Sequence, residues 1–222
     1  KDRLVGSEMC IRDSYYTLTI MKTVLITGGT RGIGLSTAIN FQQKGWEVYI
    51  TSRKQENLDL VIKEYPELKG FVARADDLAA ASETCMKIKD ETGSLDVLIN
   101  NAGTNPSGGS LMDVELSAVQ KTWDVNLMGP LMWTREAVKA GLSESVLNVC
   151  SVGGIRPSQY MGAYNISKAG FIYMTRQLAM ELAPDIRVNG IAPAIVKTKL
   201  SEMLWVNDEK GSADLHALKK LC

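Results

Sequence analysis

The chain has 222 residues and a mass of 24.3 kDa, room for one sizeable domain or at most two small ones. Its 25 Lys and Arg balance its 25 Asp and Glu, which leaves no net field to hold nucleic acid or an anionic membrane, and 45% hydrophobic residues set it apart from disordered chains. The four cysteines, Cys10, Cys85, Cys150 and Cys222, form no C-x-x-C pair, and the one histidine, His216, lies in a polar stretch, so a disulfide framework, a metal cage and a Ser-His-Asp triad are all disfavoured.

Residues 1–20 show no period, and the run from Gly6 to Ser14 resembles translated adapter sequence. They are read as a non-native or disordered leader, with the fold starting at Met21. From there strand-length apolar runs alternate with stretches of helical period: strand 22–27, helix 32–44, strand 47–51, helix 55–64, strand 70–73, helix 79–91 and strand 95–99. Beyond a Gly/Pro/Asn-rich stretch at 103–110 come helical patterns within 112–122 and 123–140, strand 145–150, a helix over about 162–182 and strand 186–191. This order predicts an α/β fold for residues 21–222, a single domain in which a doubly wound parallel sheet of six strands carries helices on both faces. Gly45 and Pro184 stand where helix-breaking residues stop the helices before them. No apolar run approaches the roughly 18 residues of a spanning helix, so no membrane partner and a cytoplasmic location are expected.

Strand Val24-Leu25-Ile26 runs into Thr27-Gly28-Gly29-Thr30-Arg31-Gly32-Ile33-Gly34 and then a helix. Glycines there let the backbone turn tightly and approach a pyrophosphate, which then meets the free amides of the helix N-terminus. At the end of the second strand, where a carboxylate would bind the adenosine ribose of NAD, the chain has Ser52 and Arg53. With Arg31 inside the glycine turn, two guanidinium groups can converge where NADP carries its 2′-phosphate, so NADP(H) is preferred over NAD(H). The alternative is that both arginines are solvated surface residues.

Tyr164 and Lys168 stand four apart on an expected helix and share one face. Tyr65 and Lys69 have the same spacing, but Pro66 disrupts that geometry. Only Tyr164 follows a serine at the C-terminal end of an expected buried strand, Ser151 after Val146 to Cys150, the edge at which such sheets bind ligands. An ammonium beside a phenol favours its anion, while Ser151 can donate to a substrate carbonyl and Tyr164 can deliver a proton.

Taken together, Thr27 to Gly34, Asn100-Asn101-Ala102-Gly103, Asn126, Ser151, Tyr164-Asn-Ile-Ser-Lys168 and Pro193 to Thr198 resemble the compact branch of the short-chain dehydrogenase/reductase family over Met21 to about Thr198. The resemblance implies a Rossmann-type fold and a role for each matching residue. Gly28, Thr30, Arg31, Gly32, Ile33 and Gly34 would cradle cofactor phosphates, Asp77 and Leu78 would meet the adenine, and Asn100, Asn101, Ala102 and Gly103 would hold the fourth strand and the adenosine side. Tyr164 would be the general acid/base, Lys168 would lower its pKa and bind the nicotinamide ribose, and Ser151 would polarise the carbonyl. Asn126 would complete a proton relay through water; alone, it also fits an ordinary helix-interior hydrogen bond. Pro193, Val196 and Thr198 would lie at the nicotinamide. Gly153, Gly154, Ile155, Tyr160 and Met161 would join Ser151 at the substrate, and Met203, Leu204 and Trp205 would begin a lid.

Two departures from the family pattern stand out. Ala194 replaces a glycine usual after Pro193, which costs energy if that site needs a positive φ. The chain also ends at Cys222, ahead of a last helix and strand that family members carry, so it is expected to be truncated and its final strand missing. The resulting expectation is an NADP(H)-dependent oxidoreductase that interconverts a small-molecule carbonyl and a secondary alcohol, using no metal, with a homodimer or homotetramer as the full-length form. The alternatives are a 3-oxoacyl-thioester (acyl-carrier-protein) reductase specifically, or a catalytically silent nucleotide-binding regulator.

Overall fold

The computed structural model describes residues 21–106, 108–214 and 219–221; the expected leader at 1–20, with Cys10, and also His216 and Cys222 lie outside the described residues. Six strands, β1 (Thr23–Ile26), β2 (Glu47–Ser52), β3 (Lys69–Val72), β4 (Leu95–Asn100), β5 (Leu142–Val149) and β6 (Arg187–Ile191), pair in parallel in the order β3-β2-β1-β4-β5-β6. Every residue of β1 and β4 is buried, which is why these strands read as continuous apolar runs rather than alternating ones. The expected doubly wound parallel sheet is borne out.

Among the described residues there are seven α-helices: α1 (Gly32–Gln43), α2 (Gln55–Glu64), α3 (Leu78–Thr92), α4 (Leu116–Trp123), α5 (Gly129–Lys139), α6 (Gly162–Glu181) and the short α7 (Glu209–Asp214). Because strand side chains alternate between faces, the core divides into two layers. Val24, Ile26 and Ile50 pack with Ala38 of α1 and Leu58 and Val61 of α2; Leu25, Leu98 and Val146 pack with Ile88 of α3, Trp133 of α5 and Leu178 of α6.

Three boundaries differ from the expectations by more than one residue. The pattern at 112–122 becomes helical only at Leu116, because the carbonyl of Ser110 accepts from the amides of Asp113 and Val114 and closes a turn first. The pattern at 123–140 is interrupted by a π-turn over Asp124–Met128, which joins α4 to α5 in continuous helical backbone, and Pro130, with no N–H to give, follows directly. Strand β5 begins at Leu142, since a register shift between Leu95 and Val97 lets Leu142 pair with Leu95. Strand order reverses between β1 and β4, and the C-terminal ends of the strands there open a crevice, the place where open α/β sheets bind ligands.

Candidate active site

The crevice is one continuous cleft of about 930 Å³, running from the end of β2 across the glycine turn to the segment after β5. At its centre the turn after β1 is bound to the chain after β4. Thr27 Oγ1 accepts from the amides of Asn101 (3.0 Å) and Ala102 (3.1 Å), and Asn101 Nδ2 donates to the carbonyls of Thr27 (2.9 Å) and Gly28 (3.0 Å). A Cβ added at Gly34 would sit 2.4 Å from Asn101 Nδ2 and 2.5 Å from the Gly28 carbonyl, so glycine is required for this close approach. Gly28 has φ of 66°, the left-handed region that glycine enters freely. Arg31, at the N-cap of α1, makes no side-chain cap, and no acid stands in the first turn, so amides at that helix end lack a side-chain partner. These features fit a dinucleotide's phosphates.

At the β2 end the cleft is lined by Thr51, Ser52, Arg53, Lys54 and Asn57, with Arg31 across from them. Thr51 Oγ1 accepts from the Gly28 amide at 3.1 Å, and Ser52 Oγ accepts from the Lys54 amide at 3.3 Å. Asp76 is the one carboxylate among the lining residues, and it is occupied by Arg74 at 3.1 Å and by Lys121. Burial works to raise its pKa, but the two cations prevail and hold it below the usual carboxylate value.

At the other end Ser151, Tyr164 and Lys168 meet. Ser151 caps a 3₁₀ turn over Val152–Gly154, with its Oγ accepting from the Gly153 amide at 3.1 Å. Tyr164 and Lys168 lie on one face of α6, the Lys168 ammonium 5.8 Å from the centre of the Tyr164 ring. Lys168 is buried and donates to the carbonyl of Val149 at 2.8 Å; burial pulls its ammonium down to about 8. Burial also raises the Tyr164 phenol, with the Ser151 hydroxyl pulling the other way, so the expected net lowering by Lys168 is not found. Pro193, Ala194, Val196 and Thr198 line the adjoining wall.

Several expected residues stand elsewhere. Asp77 turns its carboxylate to the Ala80 amide as the N-cap of α3 and Leu78 is half exposed, so neither lines the cleft, and Asp76 stands there instead. Asn100 points into the core, its Nδ2 bonded to Thr134 Oγ1 (3.1 Å) and Asn148 Oδ1 (3.0 Å), where it holds β4 to β5 without touching the cleft. Gly34 lies beneath the turn rather than on its surface. Asn126 is fully buried in the π-turn: its Oδ1 accepts from the Thr104 amide at 2.8 Å, and its Nδ2 donates to the Thr104 carbonyl (2.9 Å) and Ser167 Oγ (3.1 Å). Its amide is thus committed to holding residue 104 against α6. Ile155 is 63% exposed and Tyr160 69%, and neither lines the cleft; Gly153, Met161 and the unforeseen Arg156, Pro157, Ser158 and Gln159 do. Of the lid candidates, Met203 and Leu204 line it, whereas Trp205 packs its ring under Lys197.

A family model described as short chain dehydrogenase matches residues 22–209. The chain belongs to the short chain dehydrogenase family. Membership places it among the oxidoreductases. It is 37% identical over 229 aligned residues to the human (Homo sapiens) protein named dehydrogenase/reductase SDR family member 4, a match that covers 98% of this chain and 80% of that one. Among solved structures it is similar to ElxO with NADP bound (29% identity, TM-score 0.84, covering 90% of this chain and 86% of that one). It is also similar to a 3-ketoacyl-(acyl-carrier-protein) reductase from Brucella melitensis complexed with NADH (27% identity, TM-score 0.84, covering 90% and 85%). Among the described residues no helix is long and apolar enough to cross a membrane.

Proposed function

We propose that the chain is an NADP(H)-dependent oxidoreductase that interconverts a carbonyl and a secondary alcohol, with Tyr164 as general acid and base. The carrying observation is that Ser151, Tyr164 and Lys168 line the same cleft as the uncapped N-terminus of α1 and the basic end of β2. A bound nicotinamide cofactor supplies or accepts the hydride. The chain's own residues bind, orient and move the proton. Ser151 Oγ accepts from Gly153, which leaves its own proton available to donate to the substrate oxygen. The Tyr164 phenol, raised by burial, stays protonated at neutral pH and is ready to give up its proton during reduction. Lys168 carries a positive charge to the buried ring face and thereby favours the tyrosinate left behind. Phosphate binding falls to Gly28, Thr30, Arg31, Gly32 and Ile33, with Asn101, Ala102 and Gly103 as the opposing wall. The preference for NADP(H) is supported by Arg31, Arg53 and Lys54 around the β2 end and by the lack of a lining carboxylate there. The NADP bound to the ElxO relative agrees with it.

Fluorescence titration with NADPH and NADH, followed by a panel of aldehydes and ketones, tests this reading. Tyr164→Phe should bind NADPH about as well as the parent chain and reduce the panel at least roughly 100-fold more slowly, the scale of a lost general acid. Near-parental turnover by Tyr164→Phe would overturn the assignment.

A further inference from the structure

We infer that the substrate carries a carboxylate at the far end of an apolar body and that Arg156 binds it, an inference that rests on the carbonyl reading above. Eight Lys and Arg line the cleft against the single carboxylate of Asp76, in a chain whose formal charge is zero. Four of these eight cations have partners. Arg74 and Lys121 pair with Asp76, Lys199 pairs with Glu202, and Lys168 donates to Val149. Arg31, Arg53 and Lys54 gather at the β2 end, where the cofactor's adenosine phosphates belong. Arg156 remains, an exposed residue on the cleft rim five positions after Ser151, with no ion-pair partner among the described residues.

The segment that carries Arg156 is held in place. Its amide donates to the Val152 carbonyl at 2.9 Å and closes a turn on the residue four positions before it. Asn165 Nδ2 grips Ser158 at its carbonyl (3.3 Å) and its hydroxyl (3.1 Å). Tyr160 is fixed in the left-handed region with φ of 62°, and its carbonyl accepts from the Gly109 amide at 2.9 Å. A guanidinium on a braced rim forms a bidentate pair with less ordering cost than one on a free loop. Val152, Met161, Leu200, Met203 and Leu204 supply apolar wall in the same part of the cleft. Arg156 stands five residues beyond Ser151 on the same cleft, so a substrate that meets both would be an oxo acid whose carboxylate is several bonds from its carbonyl. A single unpaired guanidinium matches a monoanion; a phosphate dianion would call for a second cation.

Calorimetric titration of the protein saturated with NADPH, using hexanoate, hexanamide and hexyl phosphate, reads this directly. Hexanoate should bind about tenfold tighter than hexanamide, the scale of a charge-assisted bond, Arg156→Gln should erase that preference, and Arg156→Lys should keep part of it. In turnover, the ratio of kcat/KM for 5-oxohexanoate to that for its methyl ester should fall about tenfold in Arg156→Gln. Equal binding of acid and amide, a preference that survives Arg156→Gln, or tighter binding of hexyl phosphate than of hexanoate would overturn the inference. Turnover of ketones with no preference for the acid sinks this inference alone. An Arg156-dependent preference in binding with no turnover of any carbonyl sinks the oxidoreductase reading and leaves the carboxylate site standing.

Discussion

Lys168 Nζ lies 2.8 Å from the carbonyl oxygen of Val149, the last residue of β5, and so ties the middle of α6 to the strand that leads into Ser151. Tyr164 stands one turn before Lys168 on α6, and Ser151 two residues beyond Val149. One bond therefore sets the spacing of all three groups. The ammonium also approaches Gly103: a Cβ built there would lie 3.8 Å from Lys168 Nζ and 3.6 Å from Asn126 Oδ1, so the wall after β4 closes on the same point.

The buried ammonium makes stability depend on pH. Its value of about 8 in the folded protein lies below the ordinary 10.5, so between these values the unfolded chain binds more protons, and stability from this group rises with pH. The penalty is fully present below about pH 8 and gone above about 10.5. At 1.36 kcal/mol per unit it amounts to roughly 3 kcal/mol. Lys168→Met removes the penalty along with the bond to Val149. The variant's stability relative to the parent chain should therefore decline by up to roughly 3 kcal/mol between pH 7.5 and 10.5. Urea unfolding of both proteins at several pH values measures the difference, in which groups remote from Lys168 cancel. A pH-independent difference would defeat the account.

The Gly34–Asn101 approach predicts that Gly34→Ala destabilises by about 1–3 kcal/mol, the cost of overpacking, and weakens NADPH binding because the glycine turn is displaced. Asn101→Ala should also destabilise, since it removes the amide that donates to the Thr27 and Gly28 carbonyls. Combining the two should not restore stability, because the added methyl would still lie 2.5 Å from the Gly28 carbonyl. Thermal melts of the three variants decide this, and a rescued double variant would show that the side chain, not the backbone, sets the limit.

The strands and the Ser151–Tyr164–Lys168 constellation were legible because they depend on features that spacing reports directly: buried apolar runs, a glycine turn between strand and helix, and two residues four apart on one helix. What spacing does not report is which way a loop residue faces. Asp76 and Asp77 are neighbours, yet one lines the cleft and the other caps α3; an Asp with its helix beginning at the next residue is an N-cap signal, and it would have separated them. After Ser151 the chain turns back on Val152 and reaches φ of 62° at Tyr160, so Arg156 to Gln159 line the cleft and Ile155 and Tyr160 turn outward. The polar side chain of Asn100 likewise gave no sign that buried partners already claim it, whereas a helix-interior hydrogen bond was one of the two readings of Asn126.

Ala194 raised the expectation of strain, and the structure removes it. Among the described residues only Tyr160 and Lys219 are non-glycine residues at positive φ, so alanine at 194 sits in ordinary backbone. Ala194→Gly should therefore give no tighter NADPH binding through relief of strain, and should lower stability by about 0.4–1 kcal/mol by freeing the unfolded chain. Paired melting curves and cofactor titrations check both halves; a stabilised glycine variant would revive the strain argument.

Cofactor choice should turn on Arg53, which is exposed immediately after Ser52, the last residue of β2. Ser52 is buried and its hydroxyl is engaged by the Lys54 amide, so it is less able than Arg53 to reach an adenosine 2′-phosphate. Arg53→Asp replaces an attracting charge with a repelling one and restores the carboxylate that would accept from a free ribose hydroxyl. NADPH affinity should fall roughly 10- to 100-fold, on the scale of a lost charged hydrogen bond, while NADH affinity rises. Arg31→Ala should weaken NADPH in the same direction, but without the gain for NADH, since it adds no carboxylate. Because both guanidinium groups are exposed, the parent chain's preference for NADPH should shrink as salt is raised past about 0.1 M, where the screening length falls below roughly 10 Å. Side-by-side fluorescence titrations of the three proteins at low and high salt measure all of these. Equal NADPH and NADH affinities in the parent chain, or an Arg53→Asp variant that still prefers NADPH, would move phosphate recognition away from the end of β2.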